Sequence, residues 1–280
     1  MTLLPVTRVS LREAVSRRVV TFGIVLSIAF LVVFALGFNA LYSRVEQDVL
    51  DSAELVGAST VMTVLGLYVV RFLAALLAIF LSSSAVASEI DSGLLHAVLA
   101  RPLSRASWLG QRWLAFVVIS VGYVMLMTAA VMLIADGIAD YTVVGVGRAL
   151  AIMALELAVL LSLGLFASTS WSAVTSGVIT FCLFGVAWLA GIIELIGDQV
   201  GSQTMRLIGI ATSLVMPSDA LWRGASFYLQ PPSMTALASE VGGNPFAGTA
   251  PPATALLVWS AGYAVVLLLA AAWRLRRRDL

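Results

Sequence analysis

The sequence predicts an all-α integral membrane protein of six transmembrane helices, with an amphipathic cytoplasmic helix between spans two and three and short outer helices before span six. Three observations predict it. The chain of 280 residues is 61% hydrophobic and 11% charged, against about 25% charged in a soluble domain. Its apolar residues gather into six runs of roughly 20 residues, the length that crosses a bilayer's hydrocarbon core. Its arginines fall overwhelmingly on one side of those runs. The whole chain, 1–280, is read as a single transmembrane domain.

The spans are placed at about 19–38, 61–81, 114–135, 149–167, 174–196 and 253–273. The first reads as a signal anchor: it is too long for a cleaved peptide's apolar core, and Gly37-Phe38-Asn39 is a poor cleavage site. Before it, Ser10-Leu11-Arg12-Glu13 matches a capping box, and the following helix carries Arg12, Arg17 and Arg18 toward lipid headgroups.

Arginine placement orients the bundle. With the N-terminus inside, the cytoplasmic set is Arg8, Arg12, Arg17, Arg18, Arg101, Arg105, Arg112, Arg274, Arg276, Arg277 and Arg278. The outer set is Arg44, Arg148, Arg206 and Arg223, a ratio of 11 to 4. Both termini and the segment 82–113 are therefore placed in the cytoplasm of a cell whose plasma or inner membrane holds the chain. The net charge of +1 gives no reason to invoke nucleic acid. The one cysteine, Cys182, excludes an intrachain disulfide.

The second span carries Arg71 near its middle, at a cost of roughly 2.5–3.5 kcal/mol for a charge at that depth. Its best partner is Glu156 in the fourth span. Counted from the outer ends of the two spans, their depths differ by roughly 5 Å at 1.5 Å per residue, within reach of an arginine. The pair is read as fixing helix packing, with a polar element of a translocation path as the functional alternative.

The segment 82–113 reads as a helix, a break and a second helix. Glu89, Ser92 and His96 fall on one helical face, and Ile90, Leu94 and Val98 on another. Pro102 ends the first helix and pushes Arg101 out of helical geometry, and Ser104 can cap the next.

Met125 and Met132 share a face of the third span, with Met127 and Met153 nearby. A methionine stripe suits copper(I), but packing is its ordinary use, so no metal site is assigned. Ser168–Ser172 allows only a tight cytoplasmic turn. The fifth span is rich in small residues, among them Ser176, Gly177, Gly185, Ala187, Ala190 and Gly191, which let helices approach closely. Glu194 at its outer end is expected to be hydrated. The outer segment 197–252 is predicted to hold two short helices, Gln203–Val215 and one at 220–229 capped by Ser218, interfacial or re-entrant and covering the outer mouth. The C-terminal Trp273-Arg274-Leu275-Arg276-Arg277-Arg278 is a charged stop anchor.

No catalytic machinery is evident. There is no lysine, no Gly-rich phosphate loop, no Gly-x-Ser-x-Gly and no ligand spacing for a metal. The only histidine, His96, is placed in the cytoplasmic segment, away from any intramembrane serine.

The run Ser88-Glu89-Ile90-Asp91-Ser92-Gly93-Leu94-Leu95, then Leu99-Ala100-Arg101-Pro102-Leu103-Ser104-Arg105, then Leu109-Gly110, resembles the cytoplasmic signature of the permease subunits of ABC type-two exporters. The six spans, the N-terminal helix and the long outer segment extend that resemblance over nearly the whole chain. The Arg-Pro-Leu-Ser-Arg run and Pro217-Ser218-Asp219 lean toward the subgroup that includes the nitrous-oxide-reductase maturation permease. One departure is Gln111, where the family often has lysine. The resemblance implies a permease homodimer bound to two copies of a separate cytoplasmic ATPase. ATP and magnesium would reside on that ATPase, with no cofactor on this chain. It further implies that Glu89, Gly93, Leu94 and Leu95 lie in the element that docks on the ATPase, with Arg101, Pro102 and Arg105 closing it. A membrane subunit that relays ATPase motion to an outside partner without moving a substrate stays open. So does an ATP-independent channel or carrier, although no internal repeat supports the latter.

Overall fold

The computed structural model describes residues 18–48, 52–87, 104–143, 145–241 and 246–277. Among these residues the chain is all helix and turn, with nine helices in order: α1 Arg18–Asp48, α2 Ser52–Ser83, α3 Arg105–Ala139, α4 Val146–Ser168, α5 Ala173–Val200, α6 Gln203–Val215, α7 Ser218–Phe227, α8 Pro232–Val241 and α9 Thr254–Arg277. Six of them, α1 to α5 and α9, are long and apolar enough to cross a membrane. The capping box at Ser10 and the amphipathic stretch from Glu89 to Arg101 lie outside the described residues.

Local chemistry sets the helix ends. Ser104 caps α3 by accepting from the Ser107 N–H at 3.2 Å, and Ser172 caps α5 by accepting from the Thr175 N–H at 3.4 Å. The α3–α4 turn needs left-handed backbone at both ends, at Asp140 (φ 48°) and Gly145 (φ 119°). Gly145 has a second reason to be glycine: its missing Cβ would collide with the Tyr228 carbonyl oxygen. The helices outrun the apolar runs that mark them. α2 has 32 residues, which at 1.5 Å each is about 48 Å, so its first turns project beyond a hydrocarbon core of about 30 Å.

α2 and α4 form the centre. α2 packs on α1, α3, α4 and α5, while α4 packs on α2, α3, α5, α7 and α9. Around them α1, α3, α5 and α9 turn large apolar side chains outward, including Val33, Leu126, Leu133 and Val258. In lipid these faces need no covering, because acyl chains are as apolar as leucine. Association then rests on close packing and on polar ties between helices.

Those ties define two ends of the bundle. At one end Arg105 donates to the Leu275 carbonyl at 2.9 Å, the Val86 and Ala87 N–H groups donate to Ser168 Oγ at 3.0 Å each, and Trp113 Nε1 donates to Ser162 Oγ at 3.0 Å. At the other end Thr60 bonds Tyr141 Oη at 3.0 Å, Trp222 Nε1 donates to the Phe246 carbonyl at 2.8 Å, and Trp259 Nε1 donates to the Leu214 carbonyl at 3.1 Å. These are called below the Arg105 end and the Trp222 end.

The segment 197–252 departs from the sequence reading in two ways. It contains a third helix, α8. Ser218 does not cap α7: Pro217 holds the cap position with no side-chain bond, and Ser218 Oγ is buried without a partner. A serine followed by an apolar stretch satisfies the N-cap pattern, but burial against α4 and α5 claims this one. Of the two placements expected, interfacial or re-entrant, α7 takes the buried one: it is sunk into the bundle, with Ser218, Leu221, Trp222 and Ala225 all buried.

Candidate functional site

α2 and α4 meet at a buried ion pair. Arg71 Nε donates to Glu156 Oε1 at 2.8 Å, and the two side chains are 3% and 2% exposed. Arg71 lies 12 residues before the end of α2 at Ser83, and Glu156 lies 12 residues before the end of α4 at Ser168. Both are therefore about 18 Å from the Arg105 end. Counting from this end, where Ser168 ties the two helices, removes the 5 Å offset that arises from counting at the other. A second donor, Arg71 Nη2, reaches the Ser218 carbonyl of α7 at 3.0 Å. The guanidinium also lies 5.2, 5.5 and 5.7 Å from the ring centroids of Phe184, Trp222 and Tyr68. A desolvated cation is thus held by a carboxylate, a carbonyl and three ring faces drawn from α2, α4, α5 and α7.

The polar chain continues toward the Trp222 end. Asp219 and Arg223, one helical turn apart on α7, approach to 3.2 Å, and Arg223 Nη2 donates to Glu194 Oε2 of α5 at 2.6 Å. Glu194 is thus paired with an arginine and 20% exposed, a partner that the expectation of hydration did not include. Asp219 fits against α5 only because residue 191 is glycine, whose Cβ would collide with Asp219 Oδ2. Burial pushes the Asp219 carboxyl above the usual carboxylate range, partly offset by the Arg71 and Arg223 cations, with the Glu194 charge adding to the rise. Three carboxylates and two guanidiniums, alternating in sign, run from mid-bundle to its end and bind α7 in place. Sequence reasoning missed Asp219 and Arg223. Their i, i+4 spacing on an amphipathic helix was the available signal.

At the Arg105 end, of the residues assigned to the docking element, Arg105 alone is described. It donates to the Leu275 carbonyl at 2.9 Å and to the Arg276 carbonyl at 3.4 Å, both in the last turn of α9, where helix carbonyls lack intrahelical donors. Glu89, Gly93, Leu94, Leu95, Arg101 and Pro102 lie outside the described residues. The chain just before them is anchored too, by the two N–H bonds from Val86 and Ala87 to Ser168. Arg112, counted with the cytoplasmic charges, is buried, its guanidinium 5.3 Å from the Trp108 ring and 5.7 Å from the Phe116 ring. Among the described residues no group of three or more His, Cys, Asp or Glu side chains could hold a metal. Met125 is exposed on α3 and Met132 half-buried, while the nearby Met127 and Met153 are buried in the core.

The profile of a family described as ABC-2 family transporter protein matches residues 8–280. A comparison with curated proteins found no match.

Proposed function

The chain belongs to the ABC-2 family of transporter proteins, and from that premise we propose that it is the membrane-spanning permease subunit of an exporter. In this reading it forms the translocation path as a homodimer and is driven by two copies of a separate ATPase that carries the ATP and magnesium. The Arg105 end faces the cytoplasm, as the 11 to 4 arginine bias favours. Both termini lie on that side of the cell membrane.

The observation that carries this reading is how the segment 88–103 is mounted. On one flank Val86 and Ala87 are bonded to Ser168, at the turn between α4 and α5; on the other Arg105 is bonded to the end of α9. A push on the segment therefore reaches two other spans directly, α4 and α9, besides α2 and α3 that it joins. That is the mechanical requirement for turning ATPase closure into helix tilting. Glu89, Gly93 and the Leu94-Leu95 pair would contact the ATPase. Arg101 and Pro102 would close the element, and Arg105 would pass its motion on. The Arg101–Arg105 and Pro217–Asp219 runs favour the subgroup of the nitrous-oxide-reductase maturation permease.

The test is co-purification with the ATPase encoded beside it. Gly93→Trp and Glu89→Arg should insert and dimerise normally yet retain less ATPase per permease. Arg105→Ala should retain the ATPase but transport poorly. Normal binding, hydrolysis and transport in all three would refute the reading. A second reading, relay of ATPase motion to an outside partner without transport, is favoured by α7, which ties mid-bundle Arg71 to the outer segment. A substrate screen on ATP hydrolysis separates the two, since a relay responds to the partner and to no exported molecule.

A further inference from the structure

At the Arg105 end, a cleft of about 240 Å³ opens between the α4–α5 turn and the last turn of α9 and is lined by Thr169, Ser170, Arg274 and Arg277. Its two guanidiniums are held in place by rings rather than by acids. Arg274 lies 5.9 Å from the Phe166 ring centroid, and Arg277 lies 4.1 Å from the Trp273 ring centroid. Among the described residues neither has a carboxylate partner, although each side chain keeps its full set of N–H donors. Two exposed guanidiniums that lie against rings, face one cleft and have no carboxylate partner among the described residues suit an anion, and guanidinium geometry favours a phosphate bound through paired N–H groups. Ser170 Oγ adds a hydroxyl whose present bond to the Phe166 carbonyl is a long 3.3 Å, so it can turn toward an occupant at little cost.

The depth of the cleft selects the source of the phosphate. Trp171 and Trp273 flank it and are 44% and 55% exposed, at the ends of membrane-spanning helices. Tryptophans in that setting sit at headgroup level, with their rings between acyl chain and water. We infer that this cleft binds the phosphate of an anionic phospholipid headgroup, clamping one lipid across the α4–α5 turn and the end of α9. Because Arg105 holds the same end of α9, a bound lipid would brace the helix end to which Arg105 is bonded.

The test titrates a short-chain phosphatidylglycerol onto the full-length protein in neutral detergent and counts bound lipids by native mass spectrometry. The wild type should hold one lipid more tightly than the rest. Arg274→Gln with Arg277→Gln should weaken that first binding by about 30-fold, as expected for two interfacial arginines. The pair Arg274→Lys with Arg277→Lys should recover part of it. Arg206→Gln, which alters an exposed arginine at the Trp222 end, should have no effect. Four results would each overturn the inference. One is unchanged binding in the double Gln variant. Another is an equal loss in Arg206→Gln, which would mean diffuse charge attraction. A third is displacement of the lipid by inorganic phosphate at equal concentration, which would mean a free-anion site. The last is intact lipid binding with loss of ATPase retention in the double Gln variant, which would assign the cleft to the protein partner.

Discussion

Arg71 answers to three elements at once, and its chemistry explains why it is tolerated in a membrane. Its charge is met by Glu156, its second donor by the Ser218 carbonyl, and its planar faces by aromatic rings. Removing one member of such a desolvated pair leaves an unmatched buried charge and costs about 3–5 kcal/mol. Arg71→Leu and Glu156→Leu should each lower the thermal midpoint and the monodisperse yield in detergent, while the double variant recovers much of the loss. A double variant no better than the worse single would show that the contact does not couple the two. Asp219 makes a prediction about pH. Its carboxyl is raised by burial, so between its unfolded and folded values the folded chain binds more protons than the unfolded one. Stability from this group is greatest when it is protonated in both states, falls as pH rises from the ordinary aspartate value of about 3.9, and levels above the folded value. Asp219→Asn should flatten that part of a midpoint-against-pH curve, and an unchanged slope would assign it to other groups.

Among the elements, α7 is the one whose position depends on a few atoms. Its seat requires the absence of a side chain at Gly191, where Asp219 lies, and its far end abuts Gly145 through Tyr228. Gly191→Leu should therefore lift α7 while leaving the six spans inserted. With Cys182→Ser to remove the exposed native thiol, Ala225→Cys, at a fully buried position, should resist a maleimide in the otherwise wild-type chain. It should react once Gly191 is leucine. Continued protection would mean the seat can widen. Gly145→Ala is the complementary change: left-handed backbone costs a non-glycine residue about 1–3 kcal/mol, and the new Cβ also meets the Tyr228 carbonyl. A thermal midpoint matching wild type would show that the α3–α4 turn relaxes around it.

At the scale of the whole molecule, the proposed orientation puts the Arg105 end in the cytoplasm. Single cysteines at Ser52, Asp140 and Ser233 should be labelled from outside in intact cells, and those at Ser104 and Asp279 should not. Labelling of Ser104 from outside would reverse the orientation and remove the docking argument. The number of spans, their order and the N-cap at Ser104 were legible from the chain alone. Each depends on local quantities, on 20 apolar residues in a row or on a hydroxyl three residues from an N–H. The Arg71–Glu156 contact was legible for a related reason, since a mid-membrane cation must find a partner and the candidates were few. The burial of α7, the capture of Glu194 by Arg223, the closure of α9 by Arg105 and the two-arginine cleft were decided only by tertiary structure. Each joins groups far apart in sequence, such as Arg105 with Leu275 or Arg71 with Ser218. Which surface arginine meets a carboxylate, a carbonyl or nothing depends on how the helices pack, and helical periodicity records which face a residue occupies but not what lies opposite it.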